Sequence, residues 1–187
     1  MHTDPPADPA APHFRPLTPG DAAVVHELHG DPATNRHNPF GASPDRAASA
    51  ALLDGWLEHR RAYGFGYDLA VVDGQVAGIC GARHDVWRSL PVLNLYWRLL
   101  PEFQGRGLAP ALGRHALRMA AAAGGGTPVV ARMLAGNTGS RRVAEQLGLH
   151  RRPDLDGPGH GADWILYADL PTAAERLAVA LGTAGPR

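Results

Sequence analysis

The sequence predicts an α+β fold, with a mixed, mostly antiparallel sheet, a central βαβ unit and flanking helices. Three observations carry this expectation. Two helical patterns come first, and an antiparallel meander turned at Asp73-Gly74 follows. An apolar strand then runs through a glycine loop into an Ala/Leu-rich helix and a further strand. The 187 residues suit one domain, expected over 13–171, between a Pro/Ala/Asp-rich disordered tail at 1–12 and a short helix and tail at 172–187.

In chain order, Phe14 to Leu17 reads as a short strand. Thr18-Pro19-Gly20-Asp21 supplies an N-cap, a proline at the first helical position and an acid in the first turn. The helix it starts carries Val24, Val25 and Leu28 and stops near Gly30. Pro32, Pro39 and Gly41 keep 31–42 as loop, and Ser43-Pro44 repeats the cap signal. Ala48, Leu52 and Trp56 then recur every four residues, predicting the buried face of a longer helix that Gly64 ends.

Strands at 67–72 and 75–83 flank Asp73-Gly74, a dipeptide suited to a two-residue hairpin. A turn at Ser89 to Pro91 leads to a strand over Val92 to Leu100. Leu108, Leu112, Ala116 and Met119 share one face of the next helix, closed by Gly124-Gly125-Gly126. A strand over Pro128 to Leu134 precedes a helix from about Asn137 to Leu147, with Gly148 as its C-terminal stop. The segment 149–153, a glycine-rich turn at Asp156 to Gly161 and a strand over Asp163 to Leu170 follow. Thr172-Ala173-Ala174-Glu175 reads as a capping box for the terminal helix.

Composition excludes several function classes. Lys+Arg and Asp+Glu number 18 each, so the net charge is zero and no broad basic face is implied for nucleic acid. Cys80 is the only cysteine, which rules out a disulfide scaffold or a cysteine zinc site within the chain. Set in the apolar run Val76 to Gly81 with no adjacent base, it is expected in the core rather than as an acyl carrier. His26 and His29 are three apart on a helix, but with no third ligand evident they are read as surface histidines and no metal is expected. Glu58-His59-Arg60-Arg61 reads as a solvated helix face. Met1 to Pro12 lacks the regions of a signal peptide, and no apolar run approaches the roughly 20 residues that span a bilayer. The expected location is cytoplasmic, with no membrane partner.

The richest stretch is Tyr96 to Ala109, where Gly105 and Gly107 keep side chains away from anything approaching the backbone. The N–H groups of Gln104 through Ala109 are expected to open the next helix without carbonyl partners, at the positive end of its dipole. That is an anion site suited to phosphate. A Walker loop fails because no lysine follows Gly107. A dinucleotide loop fails because Pro110 replaces its third glycine and Val129 to Met133 carries no acid.

A third pattern, Gln/Arg-x-x-Gly-x-Gly/Ala, is met by Gln104, Gly107 and Ala109. It resembles the pyrophosphate loop with which the GNAT superfamily of N-acetyltransferases holds acetyl-CoA. The stretch Asn137 to Leu149 is similar to a second segment of that superfamily, Asn-x-x-(small) followed by Gly-Phe, with Gly148-Leu149 here. Many members place a tyrosine seven residues after the Asn, where this chain has Ala144; three after the Asn stands Ser140, as in the RimJ/RimL-like branch. The helical spacing puts Asn137, Ser140 and Ala144 on one face.

The resemblance implies a GNAT fold and acetyl-CoA as cosubstrate. It implies contacts to acetyl-CoA from Leu99, Leu100, Gln104, Gly105, Arg106, Gly107, Leu108, Ala109, Asn137 and Ser140. Backbone N–H groups within Tyr96 to Leu99 would meet the oxyanion, on a strand that splays from its parallel neighbour. Ser140 would protonate the departing thiolate, directly or through water, with Asn137 the second residue implied as catalytic. His37, Asn38, Tyr63, Tyr67, Tyr96, Trp97, Asp163 and Trp164 are candidates for the acceptor pocket. The implied activity is direct acetyl transfer to a primary amine, either a protein N-terminus or a small molecule, by a monomer or homodimer. The alternatives are an acyl-CoA-binding sensor or scaffold that has lost turnover, as the missing tyrosine at 144 suggests, and an NAD(P)-binding enzyme, disfavoured by the absent ribose acid.

Overall fold

The computed structural model describes residues 11–123, 125–159 and 162–169. The expectations for most of the N-terminal tail, for Leu170 and for the terminal helix with its capping box fall outside them. The chain runs β1 (His13–Pro16), α1 (Ala22–Gly30), α2 (Arg46–Tyr63), β2 (Tyr67–Val72), β3 (Gln75–Trp87) and β4 (Leu90–Leu99). It continues through α3 (Ala109–Ala123), β5 (Val129–Leu134), α4 (Thr138–Gln146), β6 (His150–Arg151), β7 (Gly157–Gly159) and β8 (Ala162–Ala168). The strands form one sheet in the order β1-β2-β3-β4-β5-β8-β6, with β7 paired to β8. Among the described residues only β4 and β5 pair in parallel; they are the two strands that α3 connects. The α+β layout with a central βαβ unit is present.

Alternation along the strands assigns the helices to faces. Tyr67 turns its ring edge-on to Trp56 of α2 at 5.1 Å, whereas its neighbour Asp68 accepts from His115 Nε2 of α3 at 2.7 Å. The pair α1/α2 therefore covers one face and α3 the other. Against α3 lies α4, so close that a Cβ on Gly113 would meet Leu147 Cδ1 at 2.8 Å. Asp68, itself buried, also pairs with Arg60 of α2 and so joins the two layers. Cys80 is fully buried and burial pushes its thiol pKa up, as a core cysteine requires. Among the described residues no helix is long and apolar enough to cross a membrane.

Three local expectations change. The cap of α2 is Asp45, whose carboxylate accepts from Ala48 N–H at 2.7 Å. Ser43 stays in the loop because its N–H donates to His29 O at 2.6 Å. The buried stripe of α2 is Ser49, Leu53, Trp56 and His59, not Ala48 and Leu52, so the helix is turned by about one position. The turn after β3 is the two-residue hairpin Arg88-Ser89, with φ of 48° and 67°, not Ser89 to Pro91. Pro91 stands within β4 opposite Val86; its ring nitrogen faces the β5 side, where pairing starts only at Leu93, so no ladder bond is lost. The Asp73-Gly74 turn has φ of 50° and 77°, as a type I′ hairpin needs.

The sheet is tightest where β3 crosses β4. A Cβ on Gly78 would meet Arg98 O at 2.1 Å and Leu99 Cα at 3.0 Å, both backbone atoms. Gly78→Ala should therefore lower stability by about 1–3 kcal/mol. A shift in the urea midpoint at unchanged slope would show it, and an unshifted midpoint would contradict this packing.

Candidate active site

The site begins with a parting of strands. Parallel pairing of β4 with β5 consists of Leu93↔Val129 and Asn94↔Val130 and goes no further, although β4 runs on to Leu99 and β5 to Leu134. Leu93 N–H donates to Pro128 O at 2.8 Å on the β5 side, and Leu100 N–H donates to Ala77 O at 2.9 Å on the β3 side. Alternation therefore turns the N–H of Trp97 and Leu99 into the opened edge. Gln104 Nε2 reaches back to Leu99 O at 3.1 Å and fastens the start of the glycine loop to the same edge.

Two cavities meet at this opening. The larger, about 540 Å³, lies on the α1/α2 side, between the 31–44 loop, Ala48 and Leu52 of α2, and the sheet residues Tyr67, Asn94, Tyr96, Arg132 and Trp164. The smaller, about 310 Å³, runs past Leu99, Gln104, Gly105, Ala109 and Gly139. His37, Trp97, Arg98, Asn137 and Ser140 line both, so they mark the junction. The face of α2 read from the sequence as core is partly the wall of the larger cavity.

The glycine loop is built much as its sequence implies. A 3₁₀ turn over Pro101–Phe103 closes with Gln104 N–H donating to Pro101 O at 3.1 Å. Gln104 N–H is thus taken, contrary to expectation. The N–H groups of Gly105, Arg106, Gly107, Leu108 and Ala109 have no partner among the described residues. Both glycines have φ of 74°. The side chains of Leu100 and Leu108 are buried in the core, so only their backbone can face a ligand, and Leu100 N–H is already bonded to Ala77 O. Arg106 lies over the Phe103 ring at 5.2 Å.

At the second motif, Asn137 caps α4, its Oδ1 accepting from Ser140 N–H at 3.0 Å. The Ser140 hydroxyl makes no hydrogen bond with the described residues and faces the junction. The residue that shares this face is Val143 rather than Ala144, which is fully buried in the core against α3 and β5. Ser140 has neighbours one turn on at both Val143 and Ala144; packing against α3 and β5 takes Ala144 inward and leaves Val143 towards the cavity.

His29, read from the sequence as a surface residue, is buried at the floor of the larger cavity. Its Nε2 lies 3.1 Å from the Tyr96 hydroxyl, and Arg98 Nη1 lies 3.4 Å from its Nδ1. Burial, reinforced by the Arg98 charge, lowers its pKa from 6.5 to about 3, so the ring is neutral. Arginine can only donate, which makes Nδ1 the acceptor and Nε2–H the donor to Tyr96. The Tyr96 hydroxyl proton is then free to point into the cavity. Arg98 also donates to Asn35 Oδ1, and Asn35 Nδ2 ties the loop back to Leu28 O, His29 O and Asp31 O. His26 turns elsewhere, to Ser49 Oγ at 3.0 Å, and no group of three potential metal ligands occurs among the described residues.

Of the acceptor candidates, His37, Asn38, Tyr67, Tyr96, Trp97 and Trp164 line the larger cavity. Tyr63 and Asp163 do not. Tyr63 is exposed and leans on His59 and His84, with ring centroids at 4.8 and 4.4 Å; Asp163 is exposed opposite Pro158. His29, Asn35, Asn94, Arg98 and Arg132 were not among the expected site residues. The signal for two of them was present: Asn94, Tyr96 and Arg98 alternate as one polar face of an otherwise apolar central strand.

The neutral His29 makes stability pH-dependent. The unfolded chain takes up this proton near 6.5, whereas the folded protein resists until about 3. Its contribution is full above 6.5 and is lost as pH falls through that window, by up to about 1.4 kcal/mol per pH unit. His29→Gln should flatten this part of the profile in urea titrations from pH 7 to pH 4. Parallel profiles for the two proteins would contradict the assignment.

The acetyltransferase (GNAT) domain family matches residues 13–150. Among solved structures, an acetyltransferase from Agrobacterium tumefaciens str. C58 superposes with TM-score 0.71 at 20% identity, covering 90% of this chain and 96% of that one. A GNAT superfamily phosphinothricin acetyltransferase from Sinorhizobium meliloti, in complex with AcCoA, gives 0.67 at 18% identity, with 85% and 88% covered. Ribosomal-protein-alanine N-acetyltransferase from Brucella melitensis gives 0.65 at 19%, with 84% and 98% covered. At these identities the structures speak for the fold alone, while the family match spans most of the chain. The chain belongs to the GNAT acetyltransferase family.

Proposed function

We propose that this protein transfers an acetyl group from acetyl-CoA to a primary amine by direct attack, in the manner of the RimJ/RimL-like branch. The observation that carries this reading is the junction of the two cavities at Trp97 and Ser140, beside a loop with five N–H groups that have no partner among the described residues. The loop from Gly105 to Ala109 suits the pyrophosphate, since its donors open the first turn of α3 and no side chain stands between the glycines and a ligand. The smaller cavity then leads from that loop to the opened edge of β4.

At the junction the acceptor nitrogen attacks the thioester carbonyl carbon, forming a C–N bond and, on collapse, breaking the C–S bond. Trp97 N–H, turned into the slot, donates to the oxyanion. The Ser140 hydroxyl donates to the departing sulfur, near the positive end of α4. His37, whose pKa burial and then Arg36 lower, is the group shared by both cavities that can accept the amine's proton. An α-amino group, ordinarily near pKa 7.7–8.0, asks little of that base.

Thiol release from acetyl-CoA with a panel of amines is the direct test. Ser140→Ala should lower kcat by about 10²; an unchanged rate would remove the hydroxyl from the chemistry. Gly107→Glu puts a carboxylate at the loop and strains a φ of 74°, so calorimetry should show no acetyl-CoA binding. Normal affinity in that variant would overturn the loop assignment. Tight binding with no thiol released from any amine would favour a sensor.

A further inference from the structure

The charges around the larger cavity narrow the acceptor, given the acetyl-transfer reading above. No aspartate or glutamate is among the residues lining it; its permanent cations are Arg98 and Arg132. Arg132 is already matched. Asp85 Oδ2 lies 2.9 Å from its Nη2, and its guanidinium sits over Trp87 at 5.2 Å and Trp164 at 5.1 Å.

Arg98 is different. Its Nη1 donates to Asn35 Oδ1 and approaches His29 Nδ1, both of them neutral partners. It forms no ion pair among the described residues. The neutral Tyr96 hydroxyl is also within hydrogen-bond reach of the guanidinium, and its Nε and Nη2 donors face no anionic partner among the described residues. Those two donors are the fork of a guanidinium that matches a carboxylate with two parallel bonds. A half-buried guanidinium without a counter-charge is unfavourable unless a ligand supplies one.

Position then decides where that anion sits on the acceptor. Arg98 lines both cavities where they meet, next in sequence to Trp97 and across the opening from Ser140. In the reading above the attacking nitrogen occupies this junction, so an anion held by Arg98 lies beside the amine. We propose that the acceptor is a free α-amino carboxylate. Arg98, with the Tyr96 hydroxyl oriented by His29, takes the carboxylate, and the side chain fills the rest of the cavity between Leu52, Tyr67, Met133 and Trp164. A protein N-terminus has its α-carboxylate in a peptide bond and gives Arg98 nothing to pair with. A polyamine needs acids along the wall, and this wall presents none. A cavity of about 540 Å³ is within the range of small-molecule sites.

The twenty free α-amino acids, each paired with its α-amide, test this on the intact protein. For the preferred side chain, kcat/KM by thiol release should be at least about 30-fold higher for the acid than for its amide. The acid-to-amide ratio should collapse towards one in Arg98→Gln and survive in part in Arg98→Lys, with circular dichroism melts confirming that both variants fold. A structural role in tying down the 31–44 loop would lower both substrates together and leave the ratio unmoved. Calorimetry on the CoA-loaded protein reads the same preference without turnover, which separates this inference from the transferase reading. Acid binding at least about 30-fold tighter than amide binding, abolished in Arg98→Gln, upholds it even if no amine is acetylated. Amides handled as well as acids, or no amino acid bound by the loaded protein, overturn it.

Discussion

The short parallel register between β4 and β5 is the constraint on which the rest of the molecule depends. A sheet strand must find partners for its edge groups, because buried N–H and C=O groups left bare are costly. Here two residue pairs meet that need and the strands then separate, while β4 continues for five residues beyond Asn94. One of the exposed carbonyls, Leu99 O, is covered by the Gln104 amide. The Trp97 N–H is left facing a slot that an extended, amide-bearing chain could enter as a strand would. The glycine loop, the 3₁₀ turn and α4 are all arranged around that gap.

Because side chains alternate along a strand, β4 does two jobs at once. Its opened edge offers backbone donors, and one of its faces offers Asn94, Tyr96 and Arg98 to the larger cavity. The 31–44 loop is held over that face through Asn35, which bonds the end of α1 with its amide nitrogen and Arg98 with its oxygen. A neutral, buried His29 fits this setting: a second positive charge beside Arg98 would be unfavourable, and Tyr96 gains a fixed donor.

Features encoded by local chemistry were legible in the sequence. The Asp73-Gly74 turn, the glycine loop, the Asn137 cap and the stop of α2 at Gly64 each depend on one or two residues with a particular backbone need. What depends on tertiary placement was not. Ala48, Leu52 and Trp56 make a sound helical period, yet which side of α2 meets the core was set by α1 and by the cavity beside it. Asp45 displaced Ser43 as cap because a distant carbonyl, His29 O, claimed the serine's N–H. His29 shows the same limit: a histidine two residues before a loop looks solvated until β4 supplies Tyr96 and Arg98 around it. Tyr63 and Asp163 were placed near the cavity by fold reasoning alone; Tyr63 is exposed at the end of α2, and Asp163 is exposed although its neighbour Trp164 lines the cavity, an alternation no motif records.

The alanine at 144 bears on whether this chain has lost its chemistry. Taken from sequence, a missing acid suggests a binding protein that no longer turns over. In the fold, Ala144 is fully buried among Ala116, Met133 and Leu149 and opens on neither cavity, so a tyrosine there would have to displace the core between α3 and α4. One turn earlier Asn137 caps the helix through the Ser140 N–H, and the Ser140 hydroxyl is unbonded among the described residues at the junction. A serine in that place also sits in the first turn of α4, where the helix end favours a developing thiolate. The alanine at 144 therefore does not by itself argue for lost turnover, since the loop, the opened edge and Ser140 meet at the junction of the two cavities.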